Sequence, residues 1–199
     1  MFYTRVMRKI VLLMHVSLDG FVAGPSGAMD WIRIDDELWD FVTTITDAAD
    51  TALYGARTYQ MMESYWPTAG QQPNATKHDI NHARWANTSQ KLVFSKTLRT
   101  TNWGKTSIVG ENWVDEITRL KDQPGKNMLM LGSPSLAQSF MDLGLIDEYR
   151  LNVNPVALGA GLALFKGLGQ PMNLDLVEVK RFGSGVLGLH YEKVASGVH

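Results

Sequence analysis

The sequence is expected to form an α/β domain in which a mixed, mainly parallel central sheet is flanked by helices and ends in an antiparallel hairpin. Three features carry that expectation. Strand-like and helix-like segments alternate as far as Ile146. The run KIVLLMHVS (9–17) is apolar without alternation, the pattern of a strand covered on both faces. From Asp147 the alternation stops: DEYRLNVN, LDLVEVKRF and VLGLHYEKV all have strand character, and Gly183-Ser184-Gly185 joins the last two with turn chemistry.

Each element has its own signal. In DDELWDFVTTITDAA, Leu38, Phe41, Val42, Ile45 and Ala49 recur at helical spacing behind an acidic first turn. TALY (51–54) is a short strand, and a short helix from Thr58 to about Ser64 is expected to stop before Pro67. The polar stretch 66–79, rich in Pro, Gly and Gln, reads as a long surface loop, either lid or insertion. A helical segment near Ile80 to Asn87 precedes the strands KLVFS and TSIVG. WVDEITRLKDQ is a helix ended by Pro124 and Gly125. NMLML then leads into GSPSLAQSF, with Ser133 placed as N-cap and Pro134 at the first helical position.

Composition excludes several classes of function. At 199 residues and 45% hydrophobic, the chain is expected to be one domain over 1–199. A net charge of -1, from 19 basic and 20 acidic residues, offers no general footprint for nucleic acid or a membrane surface. There is no cysteine, hence no disulfide and no thiolate metal site, which fits a cytoplasmic location. Of the five histidines, His78 and His82 are spaced i, i+4 but lack a partner ligand, and no metal site is expected.

In an open α/β sheet, ligands bind beyond the carboxyl ends of the strands. Three junctions there are suited to phosphates. Gly55-Ala56-Arg57-Thr58 combines close backbone approach, a helix N-terminus and a guanidinium. Phe94-Ser95-Lys96-Thr97 ends a strand with two hydroxyls and a cation, and Gly132-Ser133-Pro134-Ser135 opens a second helix. Each has an ordinary structural reading, as a cap or surface residue. Together they support a nucleotide or phosphate binder.

In order along the chain, MRKIVLLMHVSLDGFVAG, LYGARTY, KLVFSKTL, LMLGSPSLAQSF, LIDEYRLNVNPVALGAGLALF and GVLGLHYE resemble the dihydrofolate reductase-like family typified by the C-terminal reductase domain of the bifunctional riboflavin-biosynthesis deaminase-reductase. The resemblance spans roughly residues 7 to 193 and leaves residues 1–6 as a variable extension. It implies a three-layer dihydrofolate reductase-like fold, an NADPH cofactor and a homodimer. It places Gly55, Arg57, Thr58, Ser95 and Lys96 near the adenosine phosphates, and Gly132, Ser133, Ser135 and Leu136 near the pyrophosphate and nicotinamide. Gly132-Ser133 stands where a dihydrofolate reductase has Gly-Gly, and Ala56 is inserted in its Gly-Arg pair; both set the chain apart from folate reduction. The zinc deaminase signature, which needs cysteines, is absent, so a stand-alone reductase is expected.

The resemblance also implies a proton donor at the start of the first helix, where Asp36 and Glu37 are the candidates. Acidic residues at that position favour the helix dipole in any case. Asp19 in SLDG forms a turn or borders the nicotinamide. Trp31 and Trp39 either wall a planar substrate or pack in the core. The segment from Pro155 to Phe165 is either a loop over the substrate or a plain strand connection. The expected activity is NADPH-dependent reduction of a small planar nitrogen heterocycle, with no nucleic-acid or membrane partner; the alternative is a nucleotide-binding module without efficient turnover.

Overall fold

The computed structural model describes residues 7–194; the 1–6 extension lies outside the described residues. In chain order the elements are β1 (Ile10–Val16), β2 (Phe21–Ala23), α1 (Asp36–Asp47), β3 (Ala49–Gly55), α2 (Ala56–Ala69), α3 (Lys77–Thr88), β4 (Gln90–Phe94) and β5 (Thr106–Val109), then α4 (Trp113–Lys121), β6 (Asn127–Leu131), α5 (Pro134–Asp142), β7 (Glu148–Val153), β8 (Leu162–Ala163), β9 (Leu174–Arg181) and β10 (Leu187–Lys193). Eight strands form one sheet in the order β5-β4-β3-β6-β1-β7-β10-β9. The first six in that order pair in parallel, and β7, β10 and β9 pair antiparallel. This is the mixed, mainly parallel sheet with a C-terminal hairpin that the sequence leads one to expect.

The central strands β1 and β6 are largely apolar because both faces are covered. On β1, Ile10, Leu12, Met14 and Val16 enter one core with Ile117 of α4 and Ala137, Phe140 and Met141 of α5. Val11 and Leu13 enter the other with Leu38 and Val42 of α1, Tyr59 of α2 and Trp85 of α3. The three layers are therefore α1–α3, sheet, and α4–α5, a dihydrofolate reductase-like arrangement.

Two local expectations need correction. Half of the stretch 66–79 is helical, leaving a loop only over 70–76: α2 runs through Pro67 to Ala69, and α3 starts at Lys77 behind a Thr76–Asp79 capping box. Pro67 sits in the last turn of α2, where its missing N–H removes one intrahelical bond instead of breaking a long ladder. Buried Ala69 and half-buried Trp66 hold that turn down. The second departure is a two-stranded sheet of β2 and β8, too short to leave a periodic signal.

A buried lysine closes α3. Lys91 Nζ donates to the carbonyls of Ala86 (2.8 Å) and Ser89 (3.0 Å) and lies 4.6 Å from the Trp103 ring centroid. Burial pulls its ammonium pKa down to about 8, so it still carries its proton at neutral pH.

Candidate functional site

The carboxyl ends of β3 and β6 lie side by side, since Leu53 is in register with Met130. Two residues further on come Gly55 and Gly132, and each strand turns at once into a helix. Neither helix has a side-chain cap: Gly55 precedes α2 without one, and Ser133 precedes α5 without one. The Ser133 hydroxyl is engaged elsewhere, accepting from the Gly55 N–H at 2.8 Å. Gly132 (φ 66°) and Ser133 (φ 61°) are consecutive left-handed residues, and that turn aims the start of α5 towards the start of α2. The second of these is costly for a residue with a Cβ.

Two helix N-termini thus converge at one sheet edge. Their first-turn amides, those of Ala56, Arg57 and Thr58 in α2 and of Ser135 and Leu136 in α5, have no intrahelical acceptor. Such an edge suits a diphosphate. Gly132 is in close approach to Thr58, because a Cβ added there would lie 3.4 Å from Thr58 Cγ2. On the far side of β3, Gly55 is in register with Phe94 of β4, so Arg57 and Lys96 each follow that register pair by two residues. Both are exposed. Ser95 is half-buried and its Oγ accepts from the N–H groups of Thr97 and Leu98 at 3.2 and 2.9 Å, which fixes the strand-end turn.

Next to this edge opens a cavity of about 390 Å³. Arg57, Thr58, Gly132, Ser133 and Pro134 line the side nearest the two helix starts. The remainder is apolar and aromatic, including Met14, Val22, Ile32, Ile34, Trp39, Met61, Met62, Trp66 and Leu162, together with His15 and His82. Trp39, Trp66 and His82 form a packed wall: Trp39 meets Trp66 edge-on at 6.3 Å, and Trp66 lies 4.1 Å from His82 between ring centroids. Burial lowers the pKa of both His15 and His82 to about 4, so both imidazoles are neutral at neutral pH.

The sequence-expected residues divide. Gly55, Arg57, Thr58, Gly132 and Ser133 come together at the junction, with Ser135 and Leu136 contributing first-turn amides. Ser95 and Lys96 stand at the neighbouring strand end, outside the cavity lining. The expectation for the acids needs correction. Asp36 has a side chain 95% exposed and lies 3.2 Å from His78 Nε2, while Glu37 is exposed and lies 3.7 Å from Lys180 Nζ. Neither lines the cavity, because the inward positions of the first turn of α1 belong to Leu38 and Trp39. Asp35 caps the helix, accepting from the Leu38 N–H.

Asp19 also lies outside the cavity. Its carboxylate accepts from Ser17 Oγ (2.6 Å) and from the N–H groups of Gly159 (2.7 Å) and Leu158 (3.1 Å). These bonds, the one from Ser17 foremost, lower its pKa to about 2. The segment after Pro155 is therefore a tethered connection that presents Leu162 to the cavity. Pro155 itself is exposed and does not line the cavity, and Trp31, half-buried, donates to the Ala28 carbonyl instead. Of the two tryptophans considered, Trp39 is the wall. His15 was the residue missed, although a lone imidazole in an otherwise apolar central strand was visible in KIVLLMHVS. At the opposite end of the sheet, Glu148, His190 and Glu192 approach one another, and Lys9 Nζ bridges the two carboxylates at 2.7 and 2.9 Å.

A three-layer α/β sheet with paired helix N-termini beside an aromatic cavity defines the class, a dihydrofolate reductase-like α/β protein. The chain belongs to the RibD C-terminal domain family, which matches residues 8–188. A Bacillus subtilis (strain 168) relative, the uncharacterized protein YyaP, is 35% identical over 92% of this chain and 94% of its own. A solved structure of a Shewanella sp. PV-4 protein named for riboflavin biosynthesis superposes with a TM-score of 0.73 at 21% identity, over 94% of this chain and 99% of that one. The Thermotoga maritima diaminohydroxyphosphoribosylaminopyrimidine deaminase/5-amino-6-(5-phosphoribosylamino)uracil reductase superposes with a TM-score of 0.65 at 15% identity, over 94% of this chain and 57% of that one. At these identities both structures speak for the fold.

Proposed function

We propose that the protein is an NADPH-dependent reductase of a small, planar, nitrogen-containing heterocycle, pyrimidine- or pterin-like, akin to the uracil reductase reaction named for the Thermotoga relative. The observation that carries this reading is the Gly55–Ser133 tie, which sets two uncapped helix N-termini side by side at the mouth of an aromatic cavity.

The residues present fit the cofactor. The first-turn amides of α2 and α5 would hold the pyrophosphate, and Arg57, Thr58, Ser95 and Lys96 would meet the adenosine 2'-phosphate. When bound, NADPH supplies the hydride. The chain would hold the reacting rings between Gly132 and the Trp39–Trp66 wall and keep water from them, since most of the lining is apolar. Leu162, Val22 and Ile32 close the same volume from the β2–β8 side.

A homodimer belongs to the same reading. Leu176, Val177 and Val179 are each more than half exposed on β9, the last strand of the sheet, and give apolar surface for a second copy. No described helix is long and apolar enough to cross a membrane.

One observation favours the second reading, a nucleotide-binding module without efficient turnover: among the described residues, no carboxylate lines the cavity. The deciding experiment measures NADPH binding first and NADPH oxidation second, against pterins, aminopyrimidines and quinones. Binding with turnover of a heterocycle supports the reductase. Binding without turnover across the panel supports the module.

A further inference from the structure

His15 and Asn152 are register partners in the parallel β1–β7 pair, so their side chains lie next to each other on one face of the sheet. That face is the α1 side, where Val11 and Leu13 also point. The surroundings are apolar, yet three polar atoms there have no partner: His15 Nδ1 and both Asn152 Oδ1 and Nδ2. Buried polar atoms are rarely left unpaired, and a cluster of them needs a reason. The two side chains are chemically complementary. They do not bond each other in this structure; on a side-chain adjustment an Nδ1–H would donate to Oδ1, or a bare Nδ1 would accept from Nδ2–H, and the choice would fix the opposite role for Nε2.

His15 lines the cavity, whereas Asn152 is 1% exposed and lies behind it. Across the cavity stand Trp39, Trp66 and Met62. Among the described lining residues, Arg57 is the one formally charged side chain, and it belongs to the phosphate junction. An anion in the apolar part of the cavity would be desolvated with no counter-charge. A neutral ring edge bearing N–H or C=O would meet a neutral imidazole.

We propose that His15 is the residue that reads the hydride acceptor, through a hydrogen bond from its ring to an uncharged planar ligand, with Asn152 as the positioning residue that sets its tautomer. This rests on the reading of the cavity as the acceptor site, and it narrows the acceptor to uncharged rings with an adjacent donor or acceptor. A phosphate group on the acceptor has no place in the apolar part of the cavity.

The test uses the full chain labelled with 15N-histidine, with the His15 signals assigned by their loss in His15→Gln. NADP+-saturated protein, which has no hydride to transfer, is titrated with 5-aminouracil, pterin and menadione, and with uridine 5'-monophosphate as the phosphate-bearing comparison. At least one uncharged ring is expected to move the His15 ring-nitrogen signals and to bind at least tenfold more tightly than the monophosphate. His15→Phe should weaken that ring's binding by roughly tenfold, with His15→Gln restoring most of it, as loss and recovery of one hydrogen bond require. Asn152→Leu should weaken it severalfold and shift the tautomer signals, and NADPH affinity should stay the same in all three variants. Unmoved His15 signals with all three rings, or tighter binding of the monophosphate, overturns the inference even if the Phe variant fails to fold. Absence of NADPH binding overturns the reductase reading instead, and a ring-induced His15 shift in that case keeps His15 as the anchor.

Discussion

The backbone N–H of Gly55 donates to the Ser133 hydroxyl at 2.8 Å, joining residues 78 positions apart in sequence. This bond ties the start of α2 to the start of α5 and so sets the spacing of the two amide clusters. Ser133→Ala should therefore lower stability by about 1 kcal/mol and leave the Gly55 N–H to water or a ligand. Gly55→Ala should be more damaging to cofactor binding, because its Cβ would lie 3.1 Å from Ser133 Oγ and push the junctions apart. Urea unfolding and fluorescence titration with NADPH check the two effects separately.

On the proposed reading, Arg57 and Lys96 would decide the choice of cofactor. NADPH differs from NADH by the 2'-phosphate, and a charge-assisted contact to it is worth about 1.5–3 kcal/mol. Arg57→Ala should weaken NADPH binding by roughly 10- to 100-fold, and Lys96→Ala by less, because an ammonium acts as a point charge. NADH should hardly respond, and the preference should shrink as salt rises. Titration of both cofactors against both variants reads the result; equal losses would assign the residues to the shared pyrophosphate or to the fold.

The carboxylates at the start of α1 face away from the cavity. Asp36→Asn, Glu37→Gln and the double variant should each change turnover by no more than about twofold, far below the 100-fold or greater loss of a general acid. Steady-state kinetics on any accepted heterocycle measures this, and a large loss in the double variant would require α1 to rotate its first turn inwards on binding.

His82 makes the fold acid-sensitive. Burial holds its pKa at about 4 in the folded protein, against 6.5 for the free group. Protons therefore bind the unfolded chain more readily, and the sign follows: above pH 6.5 the group has no effect, and stability falls as pH drops from 6.5 towards 4. The loss at pH 5 is on the order of 2 kcal/mol. His15 acts in the same direction. Urea midpoints at pH 7.5 and pH 5 should differ accordingly, and His82→Asn should narrow the difference.

Much of this molecule is visible in its local chemistry. Unbroken apolar runs at 10–14 and 128–131 mark strands covered on both faces, and glycines at 55 and 132 mark the two turns that matter. The effect of Pro67 depends on its place in the helix, and that place is set by the packing of Trp66 before it and Ala69 after it. The acid misled for a related reason. The rotation of α1 about its axis decides whether Asp36 and Glu37 or Leu38 and Trp39 take the inner face, and only the docked helix fixes that angle. The tie from Gly55 to Ser133, and the adjacency of His15 and Asn152, depend on strand order, which puts β6 beside β3 and β7 beside β1 despite their late positions in the chain.

The central claim is that the paired helix starts hold a dinucleotide bearing a 2'-phosphate. Calorimetric titration of the unmodified chain with NADPH and then with NADH, at low and at moderate salt, tests it most directly. The expected result is saturable binding of one NADPH per chain, at least tenfold tighter than NADH, with the margin narrowing as salt rises. No binding of either, or equal affinity for both at every salt concentration, would contradict the account.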